Sequence, residues 1–224
     1  MASRSAHVLS HPAGMASGMA KTQYYTATSV DGYIADADNS LDWLFEADSD
    51  RDGSPFESFF ADVGAFAMGA TTYEWVLEHE SLLDHPNKWA SFYGDVPAWV
   101  FTHRHRPVVP GVRLSFVSGD VRPVHAAMAS AARGKNLWIV GGGELAGGFA
   151  DAGLLDELIL GVAPVTLGAG APLLPRRLTS SRLSLTDLRR NGEFAYLTYA
   201  VGPNRYRIRA TGVGTTTERP RYRR

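Results

Sequence analysis

The 224-residue chain contains no cysteine. That excludes disulfides, thiolate–zinc sites, iron–sulfur clusters and a cysteine nucleophile, and it suits a reducing, cytoplasmic setting. Metal-ligand spacing is missing too. The seven histidines form no H-E-x-x-H pattern, so no metal is expected. No apolar run reaches the roughly 20 residues of a membrane-spanning helix, and no membrane partner is expected. The opening MASRSAHVLSHPAGMASGMAK lacks the continuous apolar stretch of a secretory signal.

What is present is the composition of a globular protein, 45% hydrophobic and 20% charged, with enough length for a sizeable core. The net charge of −1 conceals an asymmetry, since seven arginines follow Pro203 against the single acid Glu218. Such a tail could meet nucleic acid. It also lacks apolar periodicity, and a solvated extension is the preferred reading, with nucleic acid not expected as a partner. Residues 1–20 read as an unfolded extension, with MAKTQYY at Met19 resembling a true beginning. Residues 21–202 read as one domain, and 203–224 as the basic tail.

Along the core, QYYTATSVDGYIA (23–35) reads as a strand entering a turn, and 35–54 as a long polar loop anchored by Trp43. PFESFFADV (55–63) reads as a short helix, GAFAMG (64–69) as a buried strand and TTYEWVLEHE (71–80) as a helix. Strands at 96–104 and 112–118, a helix at 121–133, the strand NLWIVGGG and a helix at 144–153 continue the alternation. Strands at 155–168, 181–192 and 193–201 then follow one another. This order predicts an α/β domain with a mixed, mostly parallel central sheet flanked by helices and an antiparallel C-terminal edge.

Ligands of open α/β sheets bind beyond the carboxyl ends of the strands. Three such ends carry suitable chemistry. At MGATTYE, Thr71 and Thr72 are either a helix cap or phosphate ligands. At FTHRHR, Thr102, His103 and Arg104 are either a solvated basic loop or an anion site. At LWIVGGGE, Gly141, Gly142 and Gly143 are either a tight turn or an anion cradle opening a helix at Glu144. The last is not a G-x-G-x-x-G fingerprint with an acid about 20 residues on, which argues against a Rossmann dehydrogenase.

In order, TATSVDGYIA, LDWL, AFAMGATTYEW, VPAWVFTHR and LWIVGGGELAGGFADAGLLDELIL resemble the dihydrofolate reductase superfamily. Within it they are most similar to the reductase domain of the bifunctional riboflavin-biosynthesis deaminase/reductase and its stand-alone bacterial relatives, over about residues 22–201. The resemblance implies NADPH as cofactor, a homodimer, and hydride transfer to a small heterocyclic substrate, as in 5-amino-6-(5-phosphoribosylamino)uracil reductase of riboflavin biosynthesis. By position it implies that Gly69, Thr71 and Thr72 meet the cofactor phosphates. Thr102, His103 and Arg104 would lie near the 2′-phosphate, and Gly141, Gly142, Gly143 and Glu144 along the pyrophosphate and nicotinamide. Ala27 and Ile34 would line the nicotinamide, and residues 31–43 would form a lid carrying Trp43. On the helix at 71–80, Tyr73 or Trp75 could line the pocket, but residues at i and i+2 point to different faces and at most one should do so. Asp31 and Glu57 are the acids expected to deliver a proton, each alternatively a local structural residue.

Three departures narrow the reading. Ala70 stands where the family often has an arginine, removing one phosphate contact. The carboxylate and threonine by which dihydrofolate reductases hold a pterin align near Pro55 or Phe56 and at Gly161. No H-x-E or C-x-x-C zinc set of a deaminase is present. Dihydrofolate reduction, or nucleotide binding without turnover, are the alternative readings.

Overall fold

The structure is a computed structural model describing residues 20–47 and 55–202. The expected N-terminal extension up to residue 19 and the basic tail lie outside the described residues. The elements in order are β1 (Thr22–Thr28), β2 (Tyr33–Ala35), α1 (Asp42–Glu46), α2 (Pro55–Ala61), β3 (Val63–Gly69), α3 (Ala70–His79), α4 (Asn87–Tyr93) and β4 (Ala98–Phe101). There follow β5 (Leu114–Val117), α5 (Val121–Ala132), β6 (Asn136–Gly141), α6 (Gly143–Ala152), β7 (Glu157–Val162), β8 (Ala171–Pro172), β9 (Leu183–Asn191) and β10 (Phe194–Val201).

Eight strands form one sheet in the order β5-β4-β3-β6-β1-β7-β10-β9. The first six run parallel, while β7–β10 and β10–β9 are antiparallel, as the sequence predicts. The pleat sends alternate residues to opposite faces. Tyr24, Ala65, Ala67, Leu137 and Ile139 therefore pack with Met128 and Phe149 of α5 and α6. Tyr25, Phe66, Met68 and Trp138 pack with Tyr73 of α3 and Trp89 of α4 on the other side. Both faces of the central strands are covered, which is why β3 and β6 read as unbroken apolar runs.

The strand entered at residue 23 runs into the expected turn, at Ser29–Gly32: Gly32 takes φ +86° and the Ser29 amide donates to the Tyr33 carbonyl at 2.9 Å. The short strand after it, β2, is not expected from the sequence. β2 leaves the main sheet and pairs instead with β8. The long loop also contains a helix, α1, whose Trp43 is buried against Ala163 and Phe194. Among the described residues no helix is long and apolar enough to cross a membrane.

Candidate functional site

The sheet register brings the three strand ends together. Gly69 lies opposite Phe101, and Met68 opposite Gly141, so the carboxyl ends of β4, β3 and β6 stand side by side. β6 is inserted between β3 and β1, and the chain then crosses to β7 on the far side of β1. Such reversals of strand order open a crevice at the carboxyl ends.

Two helices start in that crevice. α3 begins after Gly69 and α6 after Gly142, and neither N-cap residue supplies a side-chain hydrogen bond. A helix start carries several N–H groups without intrahelical partners and the positive end of the helix dipole. Gly69, Ala70, Thr71, Thr72, Gly142 and Glu144 line a cavity of about 440 Å³ that continues past Phe101 and Gly119. The sequence left open whether Thr71 or Thr72 caps the helix; the cap is Gly69, and both hydroxyl-bearing residues line the cavity.

The three glycines divide the work. A Cβ on Gly143 would lie 2.2 Å from the Pro172 carbonyl oxygen, so α6 can approach the β8 backbone only without a side chain there. A Cβ on Gly141 would meet the Thr72 hydroxyl at 3.1 Å. At Gly142 an added Cβ would find no heavy atom within 4 Å. Gly142 faces open space between two bare helix starts, and this arrangement fits the phosphates of an extended cofactor.

A second cavity, about 390 Å³, shares Thr71, Thr72, Gly142 and Glu144 with the first. Its further walls are Ile34, Ala35, Asn39, Leu41, Trp75 and Val140, a mostly apolar set. Asp36 shapes the loop carrying Asn39 and Leu41, its carboxylate accepting from the backbone amides of Asp38 (2.9 Å) and Ser40 (2.7 Å). A third pocket, about 260 Å³, meets the second at Thr26 and Val140. Its walls are Tyr25, Ala27, Phe56, Trp138, Gly161 and Tyr196, with no charged side chain among them.

Most of the predicted residues come together. Gly69, Thr71, Thr72, Gly141, Gly142, Gly143, Glu144 and Ile34 line the first two cavities, and Ala27 lines the third. Glu144 is held by Arg176 at 3.0 Å, and Arg176 also reaches Asp151 at 2.7 Å. Thr102 folds back on its own turn, its hydroxyl donating to the Arg104 carbonyl at 2.9 Å and accepting from the Arg104 amide at 3.1 Å. His103 and Arg104 are exposed just beyond Phe101, outside the described cavity walls.

Four expected residues stand elsewhere. Tyr73 is fully buried and its hydroxyl donates to the Pro107 carbonyl at 2.8 Å; Trp75, not Tyr73, is the α3 aromatic at the cavity. Trp43 is a core anchor. Glu57 is exposed on α2 and lines none of the described cavities. Asp31 accepts from the Ser29 hydroxyl (2.6 Å) and from the amides of Leu167 (3.1 Å) and Gly168 (2.7 Å). Those bonds, the Ser29 hydroxyl foremost, hold its carboxyl below the usual carboxylate range.

Sequence reasoning missed Tyr25 and Tyr196, whereas Asn39 and Leu41 fall within the 31–43 segment expected to cover the site. Tyr25 could have been found, because strict alternation in β1 puts one of the adjacent Tyr24 and Tyr25 on each face. Tyr196 could not, because only the β7–β10 register places it opposite Gly161.

Fold and crevice together define an α/β domain with a mixed, mostly parallel sheet and a ligand crevice at the carboxyl ends of its strands. Within that class the chain belongs to the RibD C-terminal domain family, which it matches over residues 20–195. It is 31% identical over 179 residues to the uncharacterized protein YwjB of Bacillus subtilis strain 168, covering 80% of this chain and 97% of that one. Among solved structures, a putative riboflavin biosynthesis protein from Shewanella sp. PV-4 is 25% identical with a TM-score of 0.64, covering 82% of this chain and 99% of its own. A pyrimidine reductase-like protein from Corynebacterium diphtheriae is 15% identical with a TM-score of 0.56, covering 83% and 93%. RibD of Acinetobacter baumannii, 16% identical with a TM-score of 0.55, is matched over 82% of this chain and 58% of its own. The last two likenesses concern the fold alone.

Proposed function

We propose that this protein is a nicotinamide-dependent reductase of a small heterocyclic substrate, of the riboflavin-pathway type, and that it prefers NADPH. The observation that carries the reading is the convergence of two uncapped helix starts on the open backbone of Gly142, in a crevice continuous with an apolar pocket. Gly69, Thr71, Thr72 and Gly142 would hold the phosphates. Ile34, Ala35 and Gly141 would hold the nicotinamide end, and Arg104 with His103 would meet the 2′-phosphate. The bound cofactor supplies the hydride.

The chain's own residues orient the partners and exclude water. The 36–41 loop closes one side of the middle cavity through Asn39 and Leu41. Asp31 is ionised at neutral pH and committed to two backbone amides, so in this reading it fixes the loop. Glu57 faces solvent, and the proton reaching the product is assigned to water. Among the described residues the small pocket has no carboxylate for a pterin, which favours this reading over dihydrofolate reduction.

The test is a titration with NADPH and NADH, following energy transfer from tryptophan to nicotinamide. NADPH is expected to bind at least about tenfold tighter, a difference of roughly 1.4 kcal/mol. Arg104→Ala is expected to abolish that preference while leaving NADH affinity unchanged. Equal affinities for both cofactors in the unaltered protein would refute the NADPH assignment.

A further inference from the structure

The hydroxyls of Tyr24, Tyr25, Tyr73 and Tyr196 fall into two groups. Tyr24 donates to the Leu173 carbonyl at 3.0 Å and Tyr73 to the Pro107 carbonyl at 2.8 Å. Both are tied to the backbone. Tyr25 and Tyr196 are not. Their rings lie 6.4 Å apart, close enough for each phenol to bear on the other's ionisation. Among the described residues neither has a backbone carbonyl or carboxylate to receive its proton.

The sheet explains how this pair arose. Ala27, Gly161 and Tyr196 are successive neighbours across β1, β7 and β10, and Tyr25 lies two residues before Ala27 on the same face. A Cβ on Gly161 would lie 3.1 Å from Cε1 of the Tyr196 ring. Gly161 thus makes room for the tyrosine to lie over the strand beside the pocket. Among the remaining walls, Phe56 and Trp138 stand edge to face at 5.4 Å, and the indole N–H of Trp138 is taken by the Tyr25 carbonyl at 3.0 Å. The Thr26 hydroxyl, the third on this wall, donates to the Ala27 carbonyl at 3.2 Å, which leaves the two phenols as the uncommitted hydroxyl donors of the enclosure. Burial raises the pKa of both, with the mutual contact adding to the rise at Tyr25, so both remain protonated across the physiological range.

A buried neutral donor recognises an acceptor atom. A cationic amidine needs a carboxylate, and an anion needs a cation or a charged-group donor set. We propose that Tyr25 and Tyr196 are the recognition pair of the small pocket, selecting an uncharged planar heterocycle that presents a carbonyl oxygen or a bare ring nitrogen. Two interacting hydroxyls share at most one of their two protons, so one remains to be donated to the ligand. The flat rings stack on or against the heterocycle, and the donated bond fixes its orientation toward the seam at Thr26 and Val140. The inference deepens the reductase reading and depends on it only for what happens to that ring once bound.

The test uses two bicyclic probes of matched shape, quinazoline-2,4-dione and 2,4-diaminoquinazoline. Their binding to the full chain is measured by calorimetry at neutral pH, alongside the NADPH titration. The dione is expected to bind at least tenfold tighter than the diamine. Tyr196→Phe, which keeps the ring and hence the packing, is expected to weaken the dione about tenfold and to leave the diamine and NADPH unchanged; Tyr25→Phe is expected to act in the same direction. A diamine that binds as tightly as the dione, a dione that does not bind, or dione affinity untouched in both variants would each overturn the proposal. If the dione selectivity holds while NADPH does not bind, the recognition pair stands and the reductase reading falls. If NADPH binds and the selectivity is absent, the reverse holds.

Discussion

At the scale of single residues, the triple glycine is the instructive feature. From sequence it reads equally as a tight turn and as an anion cradle. The structure assigns a packing role to Gly143 and open space to Gly142. Their alanine variants should therefore part company. Gly143→Ala, with a Cβ driven against the Pro172 carbonyl, is expected to destabilise the fold by about 1–3 kcal/mol. Gly142→Ala is expected to cost less than about 1 kcal/mol yet to weaken NADPH binding at least fivefold. Chemical denaturation and cofactor titration of the two variants give the comparison. Loss of stability at Gly142 with unchanged cofactor affinity would reverse the assignment. What the sequence could not supply here is the approach of β8, a two-residue strand some thirty positions away. Only the fold reveals which glycine it crowds.

At the scale of elements, two helix starts and one loop clamp carry the account. Thr72 lines both of the cavities joined at Gly142 and touches Gly141. Thr72→Val removes the hydroxyl while keeping the shape, and NADPH affinity is expected to fall about tenfold, the value of one hydrogen bond to a charged group. A valine variant with unaltered affinity would remove Thr72 from the site. The Asp31 clamp joins the turn after β1 to the backbone at 167–168. Because its folded pKa is depressed, its contribution to stability is complete above the unfolded value of about 3.9. It fades as pH falls from there through the folded pKa. Melting temperatures of the unaltered protein and Asp31→Asn should differ at neutral pH and converge in acid; a constant gap would show that the carboxylate does not titrate with the fold.

The same scale shows why some elements were legible and others were not. β3, β6 and α5 were read within a residue or two, because apolar runs and an Asp120 cap are local signals. α4 was missed. Its cap residue is Pro86, no side chain caps it, and Trp89 is its one fully buried residue, with Tyr93 packed beside it. The turn after β1 is legible in Asp31-Gly32, but β2 beyond it is not, because its partner is distant: β2 pairs with β8.

At the scale of the whole molecule, the order of alternation already implied a mostly parallel sheet with an antiparallel edge, and the family motifs fell at the ends of its strands. The resulting crevice is a consequence of topology. Inserting β6 between β3 and β1 places the starts of α3 and α6 on either side of one glycine. The apolar pocket lies over the row formed by Ala27, Gly161 and Tyr196. The strand-end residues singled out in the sequence do converge on the cavities beside Gly142, where backbone and glycine dominate. Of the aromatic end the sequence supplies only Ala27, Phe56 and Gly161, through the resemblance; Tyr25, Trp138 and Tyr196 escape it, because the pocket is assembled from α2, β1, β6, β7 and β10 and has no contiguous signature.

The central claim is that the two bare helix starts together hold the phosphates of a nicotinamide cofactor. Hydrogen exchange of the backbone amides, measured with and without saturating NADPH, tests it most directly. The account predicts slowed exchange at residues 70–72 and 143–145 together, with little change at the opposite ends of the same helices. Protection confined to one helix start, or to neither, would contradict it.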